Sequence, residues 1–313
     1  MVNLLMSRQT TSNLLMIRPA CFQFNTETAV SNTFQKSLAG FTDSEIRDKA
    51  IEEFDKYVQL LRDHKINVTV IQDSEYPAKP DAIFPNNWIS MHEDGTVYLY
   101  PMNTPNRRLE RRDEVLDILD EHFKIKEVHD ISGSEANNKF LEGTGSIIFD
   151  HLNKIAYACL SPRTDKDLFI AHCGQLGYKP VYFTSTDKNG NLVYHTNVML
   201  TIGDRFAIIC LESIVDERER NYVKDELGAT GHEIIDILES QMSEFAGNML
   251  QVENTEGKSF LVMSETAYSS LTSSQVAQIE KYTAILAPSI PTIETIGGGS
   301  ARCMLAEIYL EEK

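Results

Sequence analysis

The chain has 313 residues, of which 42% are hydrophobic and 24% are charged, proportions typical of a soluble globular protein with ample length for a core. With 46 acidic against 29 basic residues the formal net charge is -17, which argues against nucleic acid or an anionic membrane as a partner.

The cysteines are odd in number and widely spaced, which predicts neither a disulfide framework nor a zinc site. They are Cys21, Cys159, Cys173, Cys210 and Cys303. Residues 1–11 lack the apolar stretch of a signal peptide, and no apolar run approaches the length of a membrane span. We therefore expect a protein of the reducing cytoplasm.

A unit of strand, strand, helix and strand recurs along the chain at roughly fifty residues. The first segment has a strand at 14–18, a helix at 43–64 and a strand at 68–72. The next units are predicted at 86–90, 96–100, 107–123 and 126–128, and at 145–149, 155–160, 165–175 and 180–183. Two more follow at 197–202, 206–211, 216–227 and 233–237, and at 248–252, 259–263, 273–282 and 284–286, before a last strand at 303–310.

Local signals support several of these elements. Glu93-Asp94-Gly95 is typical of a hairpin turn. Thr42 with Glu45, and Thr272 with Gln275, have the spacing of capping boxes at helix starts. The helix at 107–123 is predicted to be apolar along Leu109, Val115, Leu116, Ile118 and Leu119.

The fifth unit closes a circle if the strand at 303–310 pairs with the strand at 14–18 from the other end of the chain. The order of elements then predicts an α/β fold, a five-bladed pseudo-symmetric propeller that forms one catalytic domain over residues 1–313. An ordinary α/β sheet without symmetry is the alternative, because side-chain identity between the units is weak.

Five polar residues occupy one position in this repeat, at or just before the first strand of each unit. They are Asn87, Glu142, His195, Asn248 and Cys303. In a closed ring these positions converge on the axis, so residues far apart in sequence would meet in one pocket.

Cys303 follows three consecutive glycines, Gly297 to Gly299, which let the backbone approach a ligand closely. Arg302 beside it favours a thiolate. A thiol, a base such as His195 and a carboxylate such as Glu142 are the constellation of covalent catalysis. Taken alone, a cysteine near a C-terminus is more often a small buried apolar residue.

Short motifs in fixed order resemble the guanidine-modifying superfamily of arginine deiminases, dimethylarginine hydrolases and amidinotransferases. They are Phe84-Pro85-Asn86-Asn87-Trp88, Leu141-Glu142-Gly143-Thr144-Gly145, Ser161-Pro162-Arg163-Thr164, His195-Thr196-Asn197, Gly247-Asn248 and Gly299-Ser300-Ala301-Arg302-Cys303-Met304. The resemblance implies the five-bladed, pentein-like propeller. Arg18-Pro19 and Phe24-Asn25-Thr26-Glu27-Thr28 are similar to the citrulline-utilisation hydrolases.

The resemblance also implies residue roles. Cys303 would be the nucleophile, His195 the general acid and base, and Glu142 its partner. Arg163 would hold a substrate carboxylate. Substrate binding is further implied for Phe84, Asn86 and Asn25, the last from a loop over the pocket.

Two departures from the arginine deiminases concern the substrate. Those enzymes carry aspartates where this chain has Asn87 and Asn197. A guanidinium offers donors only, whereas a ureido group offers donors and one carbonyl acceptor, which suits an amide that both donates and accepts. This predicts hydrolysis of citrulline to ornithine, carbon dioxide and ammonia through a covalent cysteine intermediate, unless the two asparagines face away from the substrate.

Other activities remain open at this point. An arginine deiminase or dimethylarginine hydrolase would use the same chemistry on a guanidinium. An amidinotransferase or a non-catalytic amino-acid binder are further alternatives. We expect a small amino-acid substrate as the partner, no metal and no cofactor, and we leave a homo-oligomer open.

Overall fold

Fifteen strands in the described part of the chain form five three-stranded sheets. The computed structural model describes residues 8–38 and 40–313. The first sheet contains β1 (Asn13–Arg18) and β2 (Asn67–Gln72), the second β3 (Ile89–Met91), β4 (Thr96–Leu99) and β5 (Glu127–Asp130), and the third β6 (Ile148–Asp150), β7 (Ile155–Cys159) and β8 (Lys179–Phe183). The fourth contains β9 (Leu200–Ile202), β10 (Phe206–Ile209) and β11 (Glu233–Asp236), and the fifth β12 (Leu250–Glu253), β13 (Ser259–Val262) and β14 (Ala284–Leu286). The last strand, β15 (Ala306–Glu307), joins the first sheet.

Every sheet repeats one topology. Its middle strand pairs antiparallel with one neighbour and parallel with the other, as in the order β3-β4-β5. The parallel pair needs a crossover, and a helix supplies it in each unit. The repeat predicted from element order is therefore present in all five units.

The crossover helices are α1 (Asp43–Asp63), α2 (Asp113–His122), α4 (Lys166–Leu176), α5 (Glu217–Ala229) and α8 (Ser273–Glu280). The shorter helices are α3 (Gly143–Ser146), α6 (Glu239–Met242), α7 (Glu265–Ser270) and α9 (Pro291–Gly297). Both predicted capping boxes are confirmed, at Thr42 with Glu45 and at Thr272 with Gln275. The αL glycine at 177 ends α4.

The first sheet is built from the two ends of the chain. β15 pairs antiparallel with β1, opposing Leu14 to Glu307 and Leu15 to Ala306. Alternate residues of β1 enter different apolar clusters, Leu14 and Met16 on one side and Leu15 and Ile17 on the other. The predicted pairing of the terminal strands is confirmed.

Two sets of predicted boundaries are corrected. The first strands of the units begin later than predicted, because the residues before them form short turns, such as the 3-10 segments Pro85–Asn87 and Thr196–Val198. The predicted helix at 107–123 is two elements, the 3-10 helix Pro105–Glu110 and α2. Leu109, predicted to be on the apolar side, is exposed, and Arg107 is buried instead. In the described part of the chain, none of the helices has the length and apolarity to cross a membrane.

Candidate active site

The five polar residues that share one position in the repeat lie on turns directly before first strands. Asn87 ends the segment before β3, and Glu142 precedes α3 and β6. His195 precedes the turn before β9, Asn248 lies just before β12, and Cys303 is in the 3-10 helix Ala301–Met304 before β15. All five are buried. The predicted convergence is supported by contacts between neighbouring members of the set.

Two glycines let the turns approach this closely. Gly143 has φ +47°, and a Cβ there would lie 2.4 Å from the carbonyl oxygen of Asn86. A Cβ on Gly145 would lie 2.4 Å from Asn87 Nδ2 and 2.8 Å from His195 Nδ1. A side chain at position 143 would clash with the backbone of Asn86 and Asn87, and one at position 145 would clash with the side chains of Asn87 and His195.

The candidate acid–base pair is His195 and Glu142, with Nε2 of the ring 2.8 Å from Oε2 of the carboxylate. Burial alone would raise the pKa of Glu142, but the charge of Arg163 and the bond with His195 lower it to about 2. Burial lowers the pKa of His195 to about 4, although Glu142 acts in the opposite direction. An ionised carboxylate only accepts, so Nε2 carries the proton and Nδ1 of the neutral ring is left as a base.

The candidate nucleophile, Cys303, is 4% exposed and lines the same cavity as His195. Its sulfur accepts hydrogen bonds from two side-chain amides, Asn248 Nδ2 at 3.2 Å and Asn197 Nδ2 at 3.4 Å. Asn197 Oδ1 is buried and finds no hydrogen-bond partner among the described residues. The asparagine predicted to contact substrate therefore keeps a free acceptor beside the sulfur.

Asn87 is held by a residue that the sequence analysis did not select. Arg107 Nη1 donates to Asn87 Oδ1 at 2.7 Å and is paired with Glu110 through two bonds of 2.9 Å. Asn87 Nδ2 donates to Asn86 Oδ1 at 3.0 Å. Since a guanidinium has donors only, the oxygen of Asn87 must face Arg107 and its amide nitrogen must face away. Burial raises the pKa of Glu110 to about 7, against the attraction of Arg107.

Arg163, predicted to hold a substrate carboxylate, is buried in the same cavity. Its Nη2 donates to Ser31 Oγ at 2.7 Å and to the carbonyl oxygen of Thr28 at 3.2 Å. Its Nη1 lies 3.6 Å from Glu142 Oε2, and the guanidinium stacks on the ring of Tyr194. Several of its donors are thus used within the protein.

Asn25 belongs to the loop that supplies Thr28 to Arg163. Its Nδ2 donates to Asp81 Oδ2 at 2.8 Å, and Thr28 Oγ1 donates to the same oxygen at 3.1 Å. Asp81 lines the cavity, and its Oδ1 is buried without a hydrogen-bond partner in the described part of the chain. Burial raises the pKa of Asp81, although the charge of Arg107 lowers it.

Phe84 closes another wall of the cavity against the glycine loop. A Cβ on Gly297 would lie 2.7 Å from its ring, and a Cβ on Gly299 would lie 3.0 Å from it. Tyr194 OH donates to the carbonyl oxygen of Gly298 at 2.7 Å, which fixes the same loop. Gly297 and Gly299 are thus needed for close packing of this loop beside Cys303.

The cavity is narrow in this structure, with a volume of about 10 Å3. Of the predicted residues, Cys303, His195, Asn87, Arg163 and Phe84 line it directly. Glu142, Asn197, Asn86 and Asn25 contact side chains of that lining or of the groups behind it. The selection missed Arg107, Tyr194 and Asn32. The sequence analysis placed Asn248 at the shared position of the repeat but assigned it no role.

Comparison with known proteins identifies the family of this chain and solved structures that share its fold. The family described as N,N dimethylarginine dimethylhydrolase, eukaryotic, matches residues 18–310. No curated protein matches the chain. The substrate-bound N-terminal domain of ArgZ, an arginine dihydrolase from the ornithine-ammonia cycle in cyanobacteria, is 16% identical with a TM-score of 0.73, over 96% of this chain and 98% of that domain.

Full-length apo ArgZ has a TM-score of 0.74 at 16% identity, and the chain spans only 40% of its length. A dimethylarginine dimethylaminohydrolase, solved as an adduct with S-methyl-L-thiocitrulline, has a TM-score of 0.63 at 14% identity over 96% of this chain and all of that one. These likenesses show a common α/β fold. The predicted resemblance to the guanidine-modifying superfamily is confirmed.

Proposed function

Since the chain belongs to the N,N dimethylarginine dimethylhydrolase family, we propose that it is a hydrolase of non-peptide carbon–nitrogen bonds that acts on a guanidino compound of the arginine type. The observation that carries this proposal is the burial of Cys303, His195 and Glu142 around one small cavity. The comparisons favour a guanidino substrate, which was our alternative, over citrulline, which was our first prediction.

In the first half-reaction, His195 Nδ1 takes the proton of the Cys303 thiol, and the sulfur forms a bond to the guanidino carbon. The imidazolium then gives its proton to the departing nitrogen as the carbon–nitrogen bond breaks. Ammonia or an amine leaves, and a thiouronium remains on Cys303. The lowered pKa of His195 supports this order, because the ring starts neutral and able to accept a proton.

In the second half-reaction, neutral His195 takes a proton from water while the water oxygen bonds to the same carbon. The carbon–sulfur bond breaks and its electron pair returns to the sulfur. The hydroxyl of the adduct loses its proton to solvent as the ureido carbonyl forms. The imidazolium of His195 returns its proton to the sulfur, so that the Cys303 thiol and the neutral ring regain their starting state. Glu142 keeps the ring in one tautomer and stabilises its charged form through both steps.

Asp81 supports an amino-acid substrate with a cationic group. Its Oδ1 is a buried acceptor that finds no partner in the described part of the chain. An ammonium or guanidinium N–H donor would satisfy it. We assign the carboxylate end of the substrate to the side of Arg163, as predicted from the resemblance, with Phe84 as a wall and Asn25 holding Asp81.

A second candidate is hydrolysis of citrulline, favoured by one specific observation. Arg107 donates to the oxygen of Asn87 and turns it toward the guanidinium. The amide nitrogen, which gives one N–H to Asn86 Oδ1, has a second N–H that it can offer a ligand. A donor suits the carbonyl oxygen of a ureido group and does not suit a guanidinium. Asn197 Oδ1 can accept from an N–H of either group.

The test is to supply arginine, dimethylarginine and citrulline side by side to the purified protein and to measure ammonia, citrulline and ornithine. Cys303→Ala is the control for covalent catalysis. Citrulline or ornithine from arginine, or citrulline from dimethylarginine, supports the guanidino proposal. Ornithine from citrulline alone selects the second candidate, and no product from any of the three contradicts both.

Asn87→Asp separates the two candidates further. A carboxylate at this position would pair with Arg107, which already donates to residue 87 at 2.7 Å. We therefore expect citrulline turnover to fall with little gain on arginine if Asn87 donates to the substrate. A large gain on arginine would mean that Arg107 does not control the headgroup. An amidinotransferase would need an added amine before any product formed, and a non-catalytic binder would release no product.

We also infer that the five sheets close into the five-bladed propeller of a single domain. Gln9 Nε2 bridges the carbonyl oxygens of Phe149 and Ile202 from neighbouring units, which supports a ring of first strands around an axis. A bridge between Met91 and Ile308 supports contact between the second unit and β15. A cytoplasmic location and any homo-oligomer stay predictions.

A further inference from the structure

We infer that Asn248 is a further catalytic residue of this site, whose side-chain amide stabilises the negatively charged sulfur of Cys303 after His195 has removed its proton and again when the sulfur departs as the leaving group. The inference rests on the proposed function for its mechanistic meaning. Its structural basis is the contact of 3.2 Å between Asn248 Nδ2 and Cys303 Sγ.

The orientation of this amide is fixed by its other partners. The backbone N–H of Arg302 donates to Asn248 Oδ1 at 3.0 Å, and a backbone N–H can meet only an acceptor. Asn248 Nδ2 therefore faces the sulfur and also donates to the carbonyl oxygen of Asn197 at 3.0 Å. The side chain of Asn248 is thus hydrogen-bonded both to Arg302 and to Cys303, the residue that follows it.

The backbone around Asn248 leaves it little freedom. Its N–H donates to the carbonyl oxygen of Phe245 at 2.8 Å, and Phe245 has φ +62°. A Cβ on Gly247 would lie 2.3 Å from the carbonyl oxygen of Val198, so the chain is pressed against the turn before β9. The side chain is 1% exposed. A donor held in this way meets the sulfur without reorganisation.

Cys159, another buried cysteine, shows the opposite arrangement. Its sulfur donates to the carbonyl oxygen of Val193 at 3.4 Å, which requires a thiol. Burial raises the pKa of Cys159 to about 12. Cys303 instead receives two amide donors, which favour the negatively charged sulfur. The direction of the hydrogen bonds, which Cys159 donates and Cys303 accepts, distinguishes the proposed nucleophile from a structural cysteine.

Other charged and titratable groups face the sulfur or its cavity and are unchanged by a substitution at Asn248. They are His195 on the turn before β9, Asp81 before the turn that bears Asn87, Arg107 on the 3-10 helix, Arg163 after β7, and the phenols of Tyr57 and Tyr194. An effect of Asn248 on the charge of Cys303 must therefore be measured as a difference from the wild type.

The same donor acts when the covalent intermediate breaks down. Water adds its oxygen to the carbon and gives a proton to His195, and the carbon–sulfur bond then breaks with its electron pair passing to sulfur. The amide of Asn248 again receives a negative sulfur at this step. Removal of the Asn248 amide is therefore expected to slow both the formation of the Cys303 thiolate and the breakdown of the covalent intermediate.

The experiment titrates the thiolate without any substrate. Ultraviolet absorbance of the thiolate is recorded against pH in the wild type and in Asn248→Leu, and the curve of the matching Cys303→Ser protein is subtracted from each. We expect the midpoint of the leucine variant to rise by about one pH unit, a tenfold loss of thiolate at neutral pH, which is the size expected for one lost bond to a charged group. Asn248→Thr, which keeps a donating hydroxyl, is expected to shift it less.

Asn254→Leu is the matched control, because Asn254 is also a buried asparagine with bonds to the backbone of His64, Glu256 and Lys258. Thermal unfolding of all variants checks the fold. An unchanged midpoint in a folded Asn248→Leu protein, a larger shift in Asn248→Thr than in Asn248→Leu, or an equal shift in Asn254→Leu overturns the proposal. Because no substrate is used, this outcome is independent of whether arginine or citrulline is turned over.

Discussion

Two polar regions of this molecule contain buried histidines with different partners, and the partners in one of them suit catalysis. In the candidate active site, His195 contacts a carboxylate through Nε2 and lines the cavity that also contains Cys303. In the second region, which we call the serine–tyrosine chain, His92 Nε2, Ser90 Oγ, Tyr100 OH and His172 Nε2 are linked by bonds of 2.8, 2.7 and 3.0 Å.

Burial lowers the pKa of every histidine in this comparison, to about 4 for His195 and His92 and to about 3 for His172. A displaced pKa therefore does not identify the catalytic histidine. The difference lies in the partners, because His195 has a carboxylate that can stabilise its charged form and a nucleophile in the same cavity. The serine–tyrosine chain offers only neutral hydroxyls to its rings.

The largest expected effect is that of His195→Asn. Removal of the general acid and base should lower kcat by about 10^3- to 10^4-fold, while the thermal unfolding temperature changes little. Steady-state kinetics on the substrate identified above would measure this loss. If His195→Asn kept more than a tenth of wild-type turnover, His195 would not be the general acid and base, and the two regions would not differ in catalytic role.

A smaller loss of about a hundredfold in kcat is expected for Glu142→Gln. The glutamine keeps the size of the side chain but has no charge to stabilise the imidazolium and can turn a donor toward Nε2. Its backbone partner, the N–H of Asn103 at 2.9 Å, can still be satisfied by the amide oxygen. Wild-type kcat in this variant would show that the charge of Glu142 plays no part in turnover.

His172→Leu should have the reverse outcome, with normal turnover and a loss of about 2 kcal/mol in the free energy of unfolding at pH 7. The loss arises because Tyr100 OH keeps its bond to Ser90 but loses its bond to the ring of His172. Denaturant unfolding with a parallel activity assay measures both quantities. Lost turnover in the folded variant would mean that the serine–tyrosine chain communicates with the active site.

The smallest effect concerns pH. The pKa of His172 is about 3 in the folded state and near 6.5 in the unfolded state, so the unfolded chain binds the proton first as pH falls. The stability contributed by the neutral ring is present above pH 6.5 and is lost on the way down to about pH 3. Between pH 6.5 and pH 5.5, denaturant unfolding should therefore show the stability gap between wild type and His172→Leu narrowing by about 1 kcal/mol. A gap independent of pH would contradict the lowered pKa.

Local sequence signals predicted the elements and the repeat well. Capping boxes at Thr42 and Thr272, and the turn at Glu93-Asp94-Gly95, act over a few residues and can be recognised without a fold. The repeat then marked the positions of Asn87, Glu142, His195 and Cys303 in advance. Local patterns could not predict the 3-10 helix Pro105–Glu110, because its conformation depends on burying Arg107.

The partners of the site residues could not be predicted because they depend on contacts between distant units. Arg107 resembled the start of an exposed helix, and its bond to Asn87 crosses from one element to another. Arg163 finds Ser31 and Thr28 from the beginning of the chain. Asn248 had the right position in the repeat, but only the structure gives the contact of its amide with the sulfur.

The pairing of β1 with β15 means that the first sheet can be completed only after the last strand has been synthesised. The strand that contains Leu14 leaves the ribosome before its antiparallel partner at Glu307, which is translated after every other strand of the described residues. Cys303 lies only a few residues before that partner, so the nascent chain can complete four sheets while the sheet next to the nucleophile still has an open edge. The sulfur of the proposed nucleophile is thus put in place after the other four sheets, and we expect a translation product that stops before β15 to lack an assembled site.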